Sequence, residues 1–482
     1  MTTKIRFNQI QGGEVNVFDF MSATEIADVQ AGTAQVNVAA AIQAAIDSIP
    51  MGTVRFPEGI YRIESTLTVA LNASTKLSID LRGSGVLGCQ IQWHGAVNSS
   101  MIHIYNTASG TGSSMWSVEG IKLYNSIAIS DTTLYGIIGI EIGATQVNGV
   151  TTTGVNGACN GTVRKCQIYR CDTSLHYWSE SDQQRIEDNY LVTYTTSAII
   201  ATAVASIVSG SGSATFNISG NVINGGASGS IAINYKGSGL AIIGNTIQPS
   251  AGGSGILLQD CRGFTIQSNY SEVAGSTSLY WVRAASSGSG YIGQNEIGGY
   301  GNAPLIWIDN ASRDINIGPN FHTGLAATEQ VKIESGARGI HIIGRQFSGS
   351  SAWVDDGYTN DITGVMDFQL TGAGQAVSPA VNSYGTYASV ALSSYLEILT
   401  PAVGGYYLVM AYQLENGYTA SALVTYPSGA TPSNIVIVDL GTSSVLNFSL
   451  TKNLGASSQA VIRANNLIAV AKTIDWTYIR LR

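Results

Sequence analysis

Between Phe216 and Arg345 apolar and polar positions alternate in short runs that return at a nearly fixed interval. Each unit reads aromatic or aliphatic, any residue, Ile, two small or polar residues, Asn, as in Phe216-Asn217-Ile218-Ser219-Gly220-Asn221 and Phe264-Thr265-Ile266-Gln267-Ser268-Asn269. The key positions 221, 245, 269, 295, 320 and 345 lie 24, 24, 26, 25 and 25 residues apart. Earlier copies end at Cys166 and Asn189, and the 32-residue interval from there to Asn221 leaves room for an inserted loop. A second alternating run recurs within each unit, such as Ser230-Ile231-Ala232-Ile233-Asn234 and Leu305-Ile306-Trp307-Ile308-Asp309. Period-two apolarity marks half-buried strands. A unit of two or three short strands has no partner for its apolar face unless it stacks on the next, so the repeat predicts an all-β, right-handed parallel β-helix with one continuous core. The recurrent Asn is expected at a coil corner, through its tolerance of left-handed backbone and its side-chain hydrogen bonds, stacked as a ladder with a structural role.

The ends of such a solenoid need caps. Asn37 to Ile49 is Ala-rich with apolar residues at three-to-four spacing and is stopped by Pro50, which predicts a helix over about 37–49 that plugs the N-terminal end. The run Gly52 to Ile63 reads strand, Pro57-Glu58-Gly59 turn, strand. After Phe347 the repeat stops, and longer strands separated by Gly, Ser and Asn clusters predict a C-terminal antiparallel β-sandwich. The expected organisation is a cap over 1–69, the β-helix with the active face over 70–360, and the sandwich over 361–482, for trimerisation or glycan binding.

Composition narrows the partners. The 482 residues are 44% hydrophobic and only 11% charged, with 56 Gly and 9 Pro, a profile of turns in a folded chain. The net charge of −8 and the lack of any Lys/Arg run speak against nucleic acid or an anionic membrane surface as partner. No segment reads as a signal peptide or a transmembrane helix, so synthesis in the cytoplasm and no membrane insertion are expected. The five cysteines are odd in number and irregularly spaced, which predicts buried, reduced thiols. The five histidines show no ligand spacing, so neither a metal nor a cofactor is expected.

The Ala41-Ile42-Gln43-Ala44-Ala45-Ile46 segment and the Val54-Arg55-Phe56-Pro57-Glu58-Gly59-Ile60-Tyr61-Arg62-Ile63 hairpin resemble the start of the pectate-lyase-like superfamily, over Val15 to about Val69. Within it the layout resembles bacteriophage tailspikes, the depolymerases of capsular polysaccharide. That resemblance implies a homotrimer of β-helices side by side on the virion tail, with bacterial surface polysaccharide as partner. Docking on another phage tail protein through Met1 to about Thr33 is the accompanying expectation. Pectin is a poor substrate expectation: no triple acid column for calcium appears, and the polygalacturonase motifs are missing from the coils, with Asp355-Asp356 past the repeat.

Strand alternation also selects the outward side chains. It predicts Trp281 and Trp307 in one outward column with Arg283 and Asp309 beside them, and His176 and Trp178 outward on an earlier coil. Sugar rings stack on indole while Arg, Asp and His take hydroxyls, so these residues, with Arg185, are candidates for substrate binding. Glycoside hydrolysis needs an acid for the leaving oxygen and usually a second carboxylate. Glu180 and Asp182 follow Trp178 directly, and Glu141 is expected on the same face, so Glu180 or Glu141 is the candidate acid and Asp182 its partner. Asp260 and Glu272 form a second candidate pair across one coil. Three activities stay open: endo-acting hydrolysis of capsular or O-antigen polysaccharide, β-elimination by a lyase, and non-enzymatic adhesion.

Overall fold

The structure, a computed structural model, describes residues 13–72, 75–107, 114–143, 146–147, 150–151, 158–178, 181–202, 213–272, 279–299, 304–323, 329–334 and 336–343, and beyond these only the backbones of strands between 352 and 481.

Three faces of parallel strands stack along one axis. The first face runs from Leu67–Leu71 through Ser100–Asn106, Ile138–Ile142, Thr173–Trp178 and Ser197–Thr202 to Val282–Ala285, Ile306–Ile308 and Glu329–Ile333. The second begins with Gly13–Asn16, Met51–Phe56 and Ser78–Gly83 and continues to Asp361–Thr363. The third is a ten-stranded sheet from Gly59–Ile63 to Phe321–Thr323. Ile231–Ile243 and Ser254–Gln267 pass from the first face into the second as single long strands, so the two faces form one hydrogen-bonded sheet. The predicted parallel β-helix is the observed architecture.

Register turns the repeat into a core. On the third face Ile91, Leu123, Ile168, Leu191, Ile223 and Ile247 pair coil on coil, all without solvent exposure. Burying one such side chain is worth about 1.5–3 kcal/mol, and the stack uses the same contact on every coil. At the adjoining corner Asn189, Asn221, Asn245, Asn269, Asn295 and Asn320 are each at most 2% exposed and form a ladder. The Oδ1 of Asn221 accepts from the N and Nδ2 of Asn189 at 3.0 and 2.9 Å, and that of Asn245 accepts from the N and Nδ2 of Asn221 at the same distances. Left-handed backbone, however, falls one residue earlier than the ladder: Asp188, Gly220, Gly244, Ser268 and Gln294 have φ of 56, 66, 66, 55 and 57°. The turn is made by the preceding residue, and Asn is selected for its amide alone.

Two α-helices lie between the strands Gly13–Asn16 and Met51–Phe56. Helix α1, Ala23–Ala31, absent from the sequence reading, starts in a capping box between Ser22 and Glu25 and ends at Gly32 in the left-handed region. Helix α2, Ala39–Ser48, is the predicted plug, and its buried Ala41, Ile42, Ala45 and Ile46 join the core of the coils. Gln43 of α2 lies along the first strand of the first face, donating from Nε2 to the Thr68 carbonyl at 2.9 Å and accepting the Thr68 N–H at 2.8 Å. Strands between Asn382 and Leu481 pair antiparallel into sheets of five and three strands. All five cysteines are free and buried, and burial pushes the thiols of Cys89, Cys166 and Cys261 up to about 12.

Candidate functional site

On the first face the outward side chains form a column in register: Thr68, His103, Glu141, His176, Ile200, Asn234, Leu257, Arg283, Trp307 and Lys332. Successive members are set about 4.8 Å apart by the strand spacing. Most of its polar chemistry lies in two groups at either end, separated by Ile200, Asn234 and Leu257.

The first group centres on Glu141. It points away from the β-helix core, between His103 and His176, yet it is only 3% exposed. Trp178, two residues beyond His176 on the same strand, donates from Nε1 to Glu141 Oε1 at 2.8 Å. The Trp178 ring stacks on His176 with centroids 4.0 Å apart. Burial pushes the His176 imidazole down to about 4, against the opposing pull of the Glu141 charge, so the ring is neutral near pH 7. Its Nε2 is enclosed and has no hydrogen-bond partner. His103 Nε2 lies 2.7 Å from the Gly143 carbonyl and therefore carries the proton there, while its ring packs on Tyr105 at 4.7 Å. The result is a shielded carboxylate held by an indole N–H and flanked by imidazoles on both neighbouring coils.

The second group centres on Trp307. Arg283 from the preceding coil and Lys332 from the following one each place their charge 4.4 Å from the centre of its ring. Its Nε1 donates to Glu334 Oε1 at 2.8 Å, and Glu334 Oε2 accepts from the Asn310 N–H at 3.3 Å.

The structure therefore brings Glu141, His176 and Trp178 together as expected, and Arg283 and Trp307 together in a different way. Trp307 lies in the outward column, but cations occupy its ring surface where a sugar was expected. Trp281 is a core residue with no exposure. It precedes the strand Val282–Ala285 and turns inward over Gly255, where a β-carbon would come within 2.4 Å of the Trp281 carbonyl oxygen. Asp309 is a turn acceptor, its Oδ1 taking the Ser286 and Ala311 N–H groups and the Ser312 hydroxyl. Arg185 is exposed on the second face, between Thr162 and Asn217. Asp260 and Glu272 are not a pair: Asp260 meets Lys236 at 3.0 Å, while Glu272 sits on the third face and accepts from the Tyr270 hydroxyl at 2.7 Å. Glu180 lies outside the described residues. Asp182 is half-buried at the corner beyond Trp178, where its charge, after burial and Cys261, helps push the Tyr235 hydroxyl up.

The sequence reading missed His103, Lys332 and Glu334. His103 carried the same signal as Glu141 and His176, a polar residue between two core aliphatics in Ile102-His103-Ile104. Long connections in the early coils hid it, because His103, Glu141 and His176 are 38 and 35 residues apart rather than about 25. Among the described residues no group of three or more His, Cys, Asp or Glu is placed to hold a metal ion, and no helix is long and apolar enough to cross a membrane.

No protein-family model matches the sequence, and no curated protein matches it. Among solved structures, the enzymatically active domain of tailspike protein 2 of bacteriophage CBA120 is similar at 11% identity and a TM-score of 0.49, over 96% of this chain and 79% of that one. The A-module of the Azotobacter vinelandii mannuronan C-5 epimerase AlgE4 is similar at 17% identity and a TM-score of 0.44, over 76% and 100%. The Streptococcus pneumoniae surface protein and adhesin PfbA is similar at 13% identity and a TM-score of 0.43, over 74% and 100%. At these identities the chemistry of this chain has to be read from its own residues.

Proposed function

We propose that this protein is a phage tailspike depolymerase that binds a bacterial surface polysaccharide, capsule or O-antigen, along its first face and hydrolyses glycosidic bonds beside Glu141. The observation that carries the proposal is the shielded Glu141 carboxylate, fixed by Trp178 and flanked by His103 and His176 on an outward column. In this reading Glu141 protonates the leaving glycosidic oxygen, the step on which hydrolysis of either stereochemistry depends. Trp178 holds the carboxyl in one orientation, and neutral His176 supports the Trp178 ring without adding charge. Asp182 is the proposed partner carboxylate. The functional unit is a homotrimer on the virion tail, docked on another tail protein through its N-terminal segment.

The test is to incubate the full chain with purified capsule and O-antigen and to measure new reducing ends. Cleavage is expected, and Glu141→Gln should lower it by about 10²–10⁴-fold, the usual contribution of a positioned acid. Binding of a glycan without any new reducing end, or full activity in the Glu141→Gln variant, overturns the reading. The imidazoles of His103 and His176 on either side of Glu141 also favour a second reading, β-elimination with a histidine base, and the ultraviolet absorbance of an unsaturated uronate in the products would select it.

A further inference from the structure

We infer that Arg283 and Lys332, held against Trp307, form a binding site for the carboxylate of a uronic acid. The site lies on the same column as Glu141, and Trp307 is six strand steps from it, about 29 Å at the spacing of stacked coils.

The argument starts from charge. In a chain of net charge −8, two basic side chains occupy neighbouring positions of one outward column, one on each side of the coil that carries Trp307. Among the described residues the ion pairs include neither of them. The two nearby carboxylates are already engaged, Glu334 by the Trp307 indole and the Asn310 N–H, Asp309 by the turn. Arg283 Nε is enclosed and has no hydrogen-bond partner, so the donors that the guanidinium can turn to a ligand are its two terminal nitrogens. The indole holds each charge 4.4 Å from its ring centre and, being uncharged, neutralises neither.

Two oriented cations outside any ion pair recognise an anion, and the planar fork of Arg matches the two oxygens of a carboxylate. Glu334, already bonded through both of its oxygens, would repel an anion on its own side and so helps to set the direction of approach. That the uronate belongs to the glycan being cut rests on the function proposed above; the carboxylate site does not depend on cleavage.

The test uses the full chain labelled with 5-fluorotryptophan. Its seven tryptophans give separate fluorine resonances, and Trp307→Phe assigns the one of interest. Sodium glucuronate should shift the Trp307 resonance saturably, methyl glucoside should not, and Arg283→Gln or Lys332→Gln should weaken the response by about tenfold. The other resonances, unchanged in the variants, report that the coils remain folded. No saturable shift with glucuronate, an undiminished shift in both variants, or a response to glucose 6-phosphate in place of glucuronate overturns the assignment. A glucuronate response that persists in a protein releasing no reducing ends from any glycan removes the depolymerase reading and leaves the carboxylate site standing. Cleavage that depends on Glu141, with no glucuronate response, does the reverse.

Discussion

The asparagine ladder makes a quantitative prediction at Asn245. Replacing Asn245 by Leu keeps the volume and removes the amide. The Asn221 main-chain N–H then loses its acceptor at 3.0 Å, and Asn221 Nδ2 loses one of its contacts at 2.9 Å. The bonds from Asn245 Nδ2 to the Ile218 carbonyl at 2.8 Å and to Asn269 Oδ1 at 3.0 Å also vanish. One orphaned buried N–H costs about 1–3 kcal/mol, and each further bond contributes about 1 kcal/mol net. Apolar burial of the leucine returns part of this, which leaves a loss of about 3 kcal/mol. The assay is hydrogen exchange, read by mass spectrometry on the peptide containing residues 216–224, where about 3 kcal/mol is roughly a hundredfold faster exchange through opening of that coil. The comparison is Asn316→Leu, an exposed asparagine on the second face, for which an effect within about 0.5 kcal/mol is expected. Equal exchange in the two variants would refute the claim that the ladder amides stabilise the stack.

Three further outcomes follow from the site and core. Trp178→Phe keeps the ring on His176 but removes the N–H held by Glu141, and the loss of one part-buried hydrogen bond, about 1–3 kcal/mol, sets an expected fall of about 10–100-fold in reducing-end release. His176 has a folded pKa of about 4, below the ordinary value of 6.5, so between those values the unfolded chain binds the extra proton. Stability therefore falls as pH drops from about 6.5 toward 4, by up to about 3 kcal/mol from this group, and a denaturant series in His176→Gln should show a flatter dependence across that window. Gly255→Ala places a β-carbon against the Trp281 carbonyl and indole and is expected to lower the guanidinium midpoint by about 1–3 kcal/mol equivalent, while an unchanged midpoint would contradict the close packing there.

The coils were legible in the sequence because one contact is repeated on each of them. Ile at the strand centre and Asn at the corner recur with the period, and the helix before Pro50 announces itself by spacing and composition. What a linear text does not carry is the pairing between distant coils. Trp281 has the right parity for the outward column, but the register matches Arg283 to Trp307, and the residue ahead of the strand follows the turn into the core. The Arg283, Trp307 and Lys332 arrangement needs three coils in register before it exists. Glu141 was recognised as pointing away from the core, yet the N–H that holds it comes from an indole 37 residues later. Turn aspartates such as Asp309 resemble ligands in sequence because the same carboxylate oxygens serve main-chain N–H groups and sugar hydroxyls alike.

Gln43 carries a consequence for what this protein does not become. A stack of parallel strands ends in a row of unpaired peptide groups, the same template that lets cross-β fibrils recruit further chains. A glutamine side chain ends in an amide, chemically a peptide group without its chain, and at Thr68 it occupies the place of the first peptide of a coil that was never made. The edge is thus terminated at Thr68 with its own chemistry by a helix that has no strand edge to offer in turn, and a strand from another copy finds the Thr68 N–H and carbonyl already taken.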